Sequence, residues 1–377
     1  MLILRHKNDY MSQQDVFFDV LRFSLGITDR LEATIDDAGW MSLFEMADRQ
    51  SLVGVLFQGI GRLPKERRPV QKQVFFTWLA ASEMIRQANH TVCEHAAAIV
   101  RQFQADGYAC CLLKGQGNAL LYPDSAVRTP GDIDLWVVKE GVDGPAVREV
   151  VSYVRQRSAS AGQAIYHHID YGTFEGTDVE VHYRPSFMHN PLHNRRLQRF
   201  FQQQARQQMA HTVDMGGGKV AVPTTGFNRI YLLVHIARHL FQTGIGLRQF
   251  VDYYYVLRQG LTETERAETR LTLSRCGLND VAGAVMYVMK QLFWLDEACM
   301  PVAPDERRGR FLLNEVIQGG NFGQYDQRIG RFGRTSLIGK NLERLRRDWR
   351  TVWLFPSESL WEPLFRLWHF GWRWCYR

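Results

Sequence analysis

The segment Gly131-Asp132-Ile133-Asp134-Leu135-Trp136-Val137-Val138 sets two carboxylates at alternate positions of an otherwise apolar run. No other feature constrains the chain as much. On a helix the two acids would diverge around the axis. On a strand successive side chains point to opposite faces, so Asp132 and Asp134 project together while Ile133, Leu135 and Val137 enter a core. Held side by side on a rigid edge, the carboxylates repel each other unless a cation sits between them. A divalent ion meets that need, and hard Mg²⁺ takes oxygen ligands from one or two carboxylates plus substrate phosphates.

Upstream, Cys110-Cys111-Leu112-Leu113-Lys114-Gly115-Gln116-Gly117 is an apolar run ending in a lysine and two glycines, before a helix-like stretch at 118–122. A strand-to-helix turn of this kind brings backbone N–H groups to an anion, and Lys114 adds a point charge beside them. Phosphate fits such a turn. Downstream, Asp178-Val179-Glu180-Val181-His182-Tyr183 alternates again, with Asp178, Glu180 and His182 on one face. If that strand pairs beside the Asp132/Asp134 strand, Glu180 becomes a third acid at the same edge and completes a metal-binding triad.

A strand ending in a Gly turn, a helix, a two-Asp strand and a strand with one further carboxylate together resemble the nucleotidyltransferase superfamily that includes DNA polymerase β. Within it, Leu113-Lys114-Gly115, Leu121-Tyr122-Pro123, Arg128, the Asp132/Asp134 pair and Val181-His182-Tyr183 look like an uncharacterised bacterial nucleotidyltransferase family. Its pattern is "KG…LY…R…DIDLLV…(D/E)xHW". The resemblance implies an α+β fold, a small mixed-sheet core flanked by helical subdomains. It implies catalysis at Asp132, Asp134 and Glu180, the same three residues holding two Mg²⁺ ions. It places Lys114, Gly115, Gln116, Arg128 and His182 around an NTP co-substrate such as ATP. One departure stands out: most superfamily members follow the glycine with Ser, and here Gln116 follows Gly115. Lys-Gly variants are similar to toxin-type nucleotidyltransferases, in which the Lys meets the triphosphate. Bland readings exist for each residue: an Asp-x-Asp that merely ends a strand, a solvated Lys114, an Arg128 that belongs only to its loop.

The 377 residues suffice for two or three packed subdomains, and 45% apolar with 23% charged residues is the composition of an ordinary globular protein. Lys and Arg exceed Asp and Glu by 46 to 39. That excess suits a polyanionic partner, whether nucleotide, RNA or anionic membrane surface, without selecting one. Six cysteines show no CxxC pair and no regular spacing, which indicates neither a zinc site nor a disulfide framework and makes a reducing cytoplasm the default. The apolar run at 1–7 is too short for a signal peptide.

Residues 13–104 read as helices, broken at Pro64-Lys65-Glu66-Arg67-Arg68-Pro69 before a long run at 71–104. From 107 to 222 short strands are expected at 109–113, 133–138, 164–169 and 179–183, with a helix at 147–156 and a hairpin about Gly216-Gly217-Gly218. After Thr224-Thr225-Gly226, which can cap a helix, the chain reads helical to its end, with apolar stripes Ile230, Leu233, Val234, Ala237, Leu240 and Leu247, Phe250, Val251, Tyr254, Leu257. The expected division is an N-terminal helical subdomain over 1–104, an α/β core over 105–223 and a C-terminal helical subdomain over 224–377.

His235 and His239 share a helix face, but the zinc-protease pattern fails for want of a Glu after His235. With Arg238 and Arg248 they are expected either to line the cleft or to pack as a hydrogen-bonded pair. The final stretch, 360–377, is dense in Trp, Phe and Arg. It suits a membrane interface, stacking on bases, or docking onto the body, and docking is the favoured reading. The arginines of 340–350 read as a solvated face.

The function expected from these features is metal-dependent transfer of a nucleoside monophosphate from an NTP to an acceptor hydroxyl, with release of pyrophosphate. The acceptor is open between a small molecule, a sugar, a tRNA end and a protein. Two other classes stay open: a non-catalytic nucleotide- or RNA-binding module on the same fold, and a membrane-associated accessory protein of surface-polymer or peptide modification.

Overall fold

The computed structural model describes residues 12–139, 141, 142, 144–326, 328 and 337–376. The apolar run at 1–7 lies outside the described residues. Four helices open the chain: α1 (Gln13–Ser24), α2 (Asp37–Arg49), α3 (Val53–Arg62) and α4 (Lys72–Ala105). Ser12 and Asp15 form a reciprocal capping box on α1, and Asp36 caps α2 through Gly39 N–H. The proline-bracketed break carries one short 3₁₀ turn, Lys65–Arg67.

Helix α4 is the spine. Its first half buries Val74 and Trp78 among the N-terminal helices, and its second half buries Val92, Ala96, Val100 and Phe103 under the sheet. At its middle, Asn89 Nδ2 donates to the carbonyls of Ala126 (2.8 Å) and Arg128 (2.6 Å), and Arg86 pairs with Asp124 at 2.6 Å. The loop leading to Asp132 is therefore held by side chains of α4.

The main sheet contains β1 (Tyr108–Leu113), β2 (Ile133–Lys139), β3 (His168–Phe174) and β4 (Thr177–His182), in spatial order β1-β2-β4-β3. β1 and β2 are antiparallel, β2 and β4 parallel, and β4 and β3 antiparallel. Between β1 and β2 lies the short helix α5 (Gly115–Ala119), and α6 (Val147–Arg157) follows β2. The fold is α+β with a small mixed sheet, as expected. Ile133, Leu135, Val137, Val179 and Val181 are buried on one face against α4 and α6, which is what the alternation required.

The expected strand at 164–169 is displaced. The chain turns at Ile165, whose N–H donates to His168 O at 2.9 Å, and the ladder starts only at His168. The apolar character of 164–169 reflects a buried turn, with Ala164 fully enclosed. β3 and β4 are joined by Glu175-Gly176, both at positive φ (51° and 91°), a two-residue hairpin turn whose twist matches the strands. A bulge between Asp170 and Gly172 shifts the register within β3.

After β4 come α7 (Pro191–Ala210), the hairpin β5 (Thr212–Asp214) and β6 (Lys219–Ala221), then α8 (Thr225–Gln242, capped by Thr224), α9 (Leu247–Leu257), α10 (Glu263–Arg275), α11 (Asn279–Phe293) and α12 (Glu306–Gly319). Trp136 stacks on Phe227, which stacks on Phe200, at centroid distances of 5.7 and 5.8 Å. These rings seal the other face of the sheet against α7 and α8.

Two further helices, Leu337–Thr351 and Pro356–Trp374, pack on each other. Arg347 and Asp348 are buried between them and the body, so the arginines of 340–350 do not form one solvated face. The C-terminal helix docks through one side: Phe365 stacks on Phe187 at 4.8 Å, and Glu358 accepts the N–H of His189 at 2.7 Å. Its other side, with Leu360, Leu364, Leu367 and Trp374, is exposed. No helix among the described residues is long and apolar enough to cross a membrane.

Candidate active site

Parallel pairing puts Asp134 in register with Glu180, and antiparallel pairing puts Glu180 in register with Asp170. Three carboxylates thus form a row across three strands, at ladder spacings of about 4.8 Å. The neighbouring row is Trp136, His182 and His168. Asp132 precedes β2 by one residue, and Asp134 is 2% exposed within it.

Lys114 ends β1 beside this edge, because Leu113 pairs with Asp134. Its backbone adopts φ 44°, ψ −149°, a conformation that costs a non-glycine residue about 1–3 kcal/mol. Its ammonium reaches Asp134 Oδ1 at 2.8 Å. Burial opposes charge on Lys114, but Asp134 and then Asp132 outweigh it and hold the ammonium protonated. Gly115 follows at φ 50°. Helix α5 has five residues, too few for much macrodipole, so the positive charge at this turn is the Lys114 ammonium and not a helix end.

The electrostatics separate the acids. Repulsion from Asp134, then burial, push the Asp132 carboxyl up to about 6. Burial also disfavours charge on Glu180, but His182, His168 and Lys114 overcome it and hold that carboxyl well below the usual range. His182 Nε2 lies 2.9 Å from Asp134 Oδ1 and 3.2 Å from Glu180 Oε2. Against the opposition of burial, these two acids raise its pKa.

Gln116 is 1% exposed, and neither amide atom of its side chain has a hydrogen-bond partner among the described residues. Arg128 forms a two-point ion pair with Asp252, Nε to Oδ1 at 2.8 Å and Nη2 to Oδ2 at 2.9 Å, and Tyr122 donates to the same Oδ1 at 2.7 Å. The carboxylate that Arg128 orients is Asp252 of α9. Arg128 still lines a small pocket together with Lys114, Gly115, Asp132 and Asp134.

Beside it a larger cleft, of about 580 Å³, lies between the acidic edge and a wall from α8 and α9 that includes Tyr231, His235, Arg238, His239 and Arg248. Its size is that of a small-molecule site. Burial keeps His235 and His239 well below the usual histidine range, hence uncharged. Arg248 Nη1 donates to Thr129 O at 3.1 Å, tying α9 to the loop before Asp132. Lys114, Asp132, Glu180 and His182 border this space, and Gly115 and Asp134 line the smaller pocket beside it, whereas Gln116 is buried in the interior. Sequence reading did not single out Asp170 or Tyr231 and did not join Asp252 to Arg128; Asp170 follows two histidines in a segment expected to pair in another frame.

Acids on two adjoining parallel strands, with a lysine on the strand-to-helix turn beside them, face a helical wall that carries Arg238 and Arg248. The chain belongs to the family of uncharacterised nucleotidyltransferases, whose sequence profile matches residues 36–294, well over half of its length. Among solved structures, an antigenic nucleotidyltransferase-like protein from Paracoccidioides brasiliensis is similar over 59% of this chain and 96% of its own, at 13% identity and a TM-score of 0.33. That likeness carries no argument here. No curated protein matches the chain.

Proposed function

We propose that the protein is a metal-dependent nucleotidyltransferase of the DNA polymerase β-like type, moving a nucleoside monophosphate from an NTP to an acceptor hydroxyl and releasing pyrophosphate. The observation that carries this reading is the register of Asp134 with Glu180, two residues beyond Asp132 and beneath the Lys114 ammonium. The oxygen donors fit Mg²⁺: Asp132 is pushed up to about 6 by its neighbour, as befits a pair short of positive charge. Asp132, Asp134 and Glu180 would hold the ions, which supply neutralisation of the triphosphate and activation of the acceptor hydroxyl.

The chain's own groups do the rest. Lys114 and the Gly115 backbone neutralise charge growing on the leaving pyrophosphate. Arg248 and the Arg128–Asp252 pair fix the loop that carries Asp132. His235, Arg238 and His239 face the acceptor side of the cleft. A second reading, a nucleotide-binding module without chemistry, is favoured by one feature: Asp134 is already neutralised by Lys114 and His182.

The test is thermal stabilisation by each of the four NTPs with and without Mg²⁺, in the wild type and in Asp132→Asn/Asp134→Asn. Stabilisation that needs Mg²⁺ and disappears in the variant supports the transferase reading and names the donor. Metal-independent stabilisation that survives the variant supports the binding module. No stabilisation of folded wild type by any NTP overturns both.

A further inference from the structure

Three histidines crowd the acidic row, and nucleotidyl transfer as proposed above gives His167 and His168 no task. His167 and His182 are 2% exposed and His168 8%. One ring nitrogen from each lies within 4.8 Å of the others. His167 Nε2 is 3.1 Å from His168 Nδ1, and Glu180 Oε2 is 3.2 Å from both His168 Nδ1 and His182 Nε2.

Backbone hydrogen bonds enforce this convergence. His168 pairs directly with His182 across β3 and β4, and the His167 carbonyl accepts the N–H groups of Tyr183 and Arg184, each at 3.1 Å. The rings are thus carried by a clamped strand end, a rigid mount of the kind metal ligands require.

The 3.1 Å separation of His167 Nε2 and His168 Nδ1 is close to the edge, about 3.3 Å, of a tetrahedron with bonds of about 2.0 Å. The outer nitrogen of His168 supplies an independent sign: Nε2 lies 3.2 Å from Asp170 Oδ1. A proton on Nε2 donated to Asp170 leaves the Nδ1 lone pair directed inward, which is the carboxylate–histidine arrangement that orients a metal-binding imidazole. Three imidazole nitrogens suit Zn²⁺ or a similar transition ion and are a poor set for Mg²⁺.

We propose that His167, His168 and His182 form a site for a transition-metal ion of the Zn²⁺ type, with Asp170 as the residue that positions His168. The site borders the cleft through His168 and His182. It lies beside Glu180 of the Mg²⁺ reading but does not rest on nucleotidyl transfer.

The experiment uses the full chain stripped by chelator and titrated with Zn²⁺, or with Co²⁺ as a spectroscopic probe, in a constant excess of Mg²⁺. Stoichiometric retention of Zn²⁺, and a visible Co²⁺ spectrum of low-coordinate nitrogen and oxygen ligation, are expected. His168→Ala should abolish both, and Asp132→Asn should leave both intact. Asp170→Asn, at an exposed position that folding tolerates, should weaken Zn²⁺ about 10–100-fold. Failure of folded wild type to retain Zn²⁺ against Mg²⁺ overturns the proposal, and so does Zn²⁺ affinity unchanged by Asp170→Asn. Because metal content is the readout, either result stands apart from the NTP experiment.

Discussion

Asp134 and Glu180 face each other across the parallel pairing of β2 and β4, and a single nitrogen, His182 Nε2, lies within 3.2 Å of both. Two acids from different strands converge on one imidazole from the second strand, with Lys114 also reaching Asp134. The site is a balance of charges, so single substitutions should change function more than fold.

Lys114 combines an ammonium on Asp134 with a backbone at positive φ. Lys114→Gln should lower turnover by about 10²-fold, the usual cost of removing one group that stabilises developing charge. Lys114→Gly should lower turnover equally, while relief of backbone strain keeps its thermal midpoint above that of Lys114→Gln. Steady-state kinetics and thermal melts on the two variants check both parts. Equal midpoints would refute the strain argument.

Gln116 buries a side-chain amide without a partner. Gln116→Met should therefore be neutral or stabilising by up to about 1–3 kcal/mol in the ligand-free protein. If the amide meets a phosphate once nucleotide is bound, the same variant loses part of its NTP-induced thermal shift. An unchanged shift removes Gln116 from the nucleotide's contacts.

The Arg128–Asp252 pair is almost fully enclosed. Asp252→Ala leaves a buried guanidinium without its counter-ion and should cost about 3–5 kcal/mol. Replacing both partners, as Arg128→Met/Asp252→Leu, should recover most of that loss. Urea denaturation of the two variants measures the difference. A double variant as unstable as the single would show that the pair does more than neutralise itself.

Among the C-terminal helices, burial and then repulsion from Glu362 push Asp348 up to about 7, against a model-peptide value of 3.8. Between roughly pH 4 and pH 7 the folded chain keeps a proton that the unfolded chain has lost. Stability should therefore fall as pH rises through that window. Asp348→Asn should flatten this slope, raising the thermal midpoint at pH 7.5 and leaving it almost unchanged at pH 4. An identical pH profile for variant and wild type would contradict the shift.

Much of this architecture could be read from residue order. Alternation located β2 and β4, because in each the aliphatic residues fall on one face and the carboxylates on the other. The Pro-bracketed break and the Thr224 cap marked helix ends through local chemistry. β3 was misplaced because periodicity cannot distinguish a buried turn at Ala164 from a strand. Only the Glu175-Gly176 turn fixes which frame pairs with β4, and with it the positions of His168 and Asp170. The partners of Arg128 and Lys114 depend on contacts between distant segments. Arg128 and Asp252 are 124 residues apart, and no local pattern joins them.

Helix α4 is 34 residues long, about 50 Å of unbroken rod, and it is embedded at one end in the N-terminal helices and at the other beneath the sheet. Such a strut resists the hinge motions by which many two-lobed enzymes open and close. The wall carrying Asp132 and Asp134 cannot swing away from the helices that brace it without bending α4. Ser51, in the same N-terminal helical block, lines the cleft along with the acids of the sheet, so the strut keeps the two at a fixed separation.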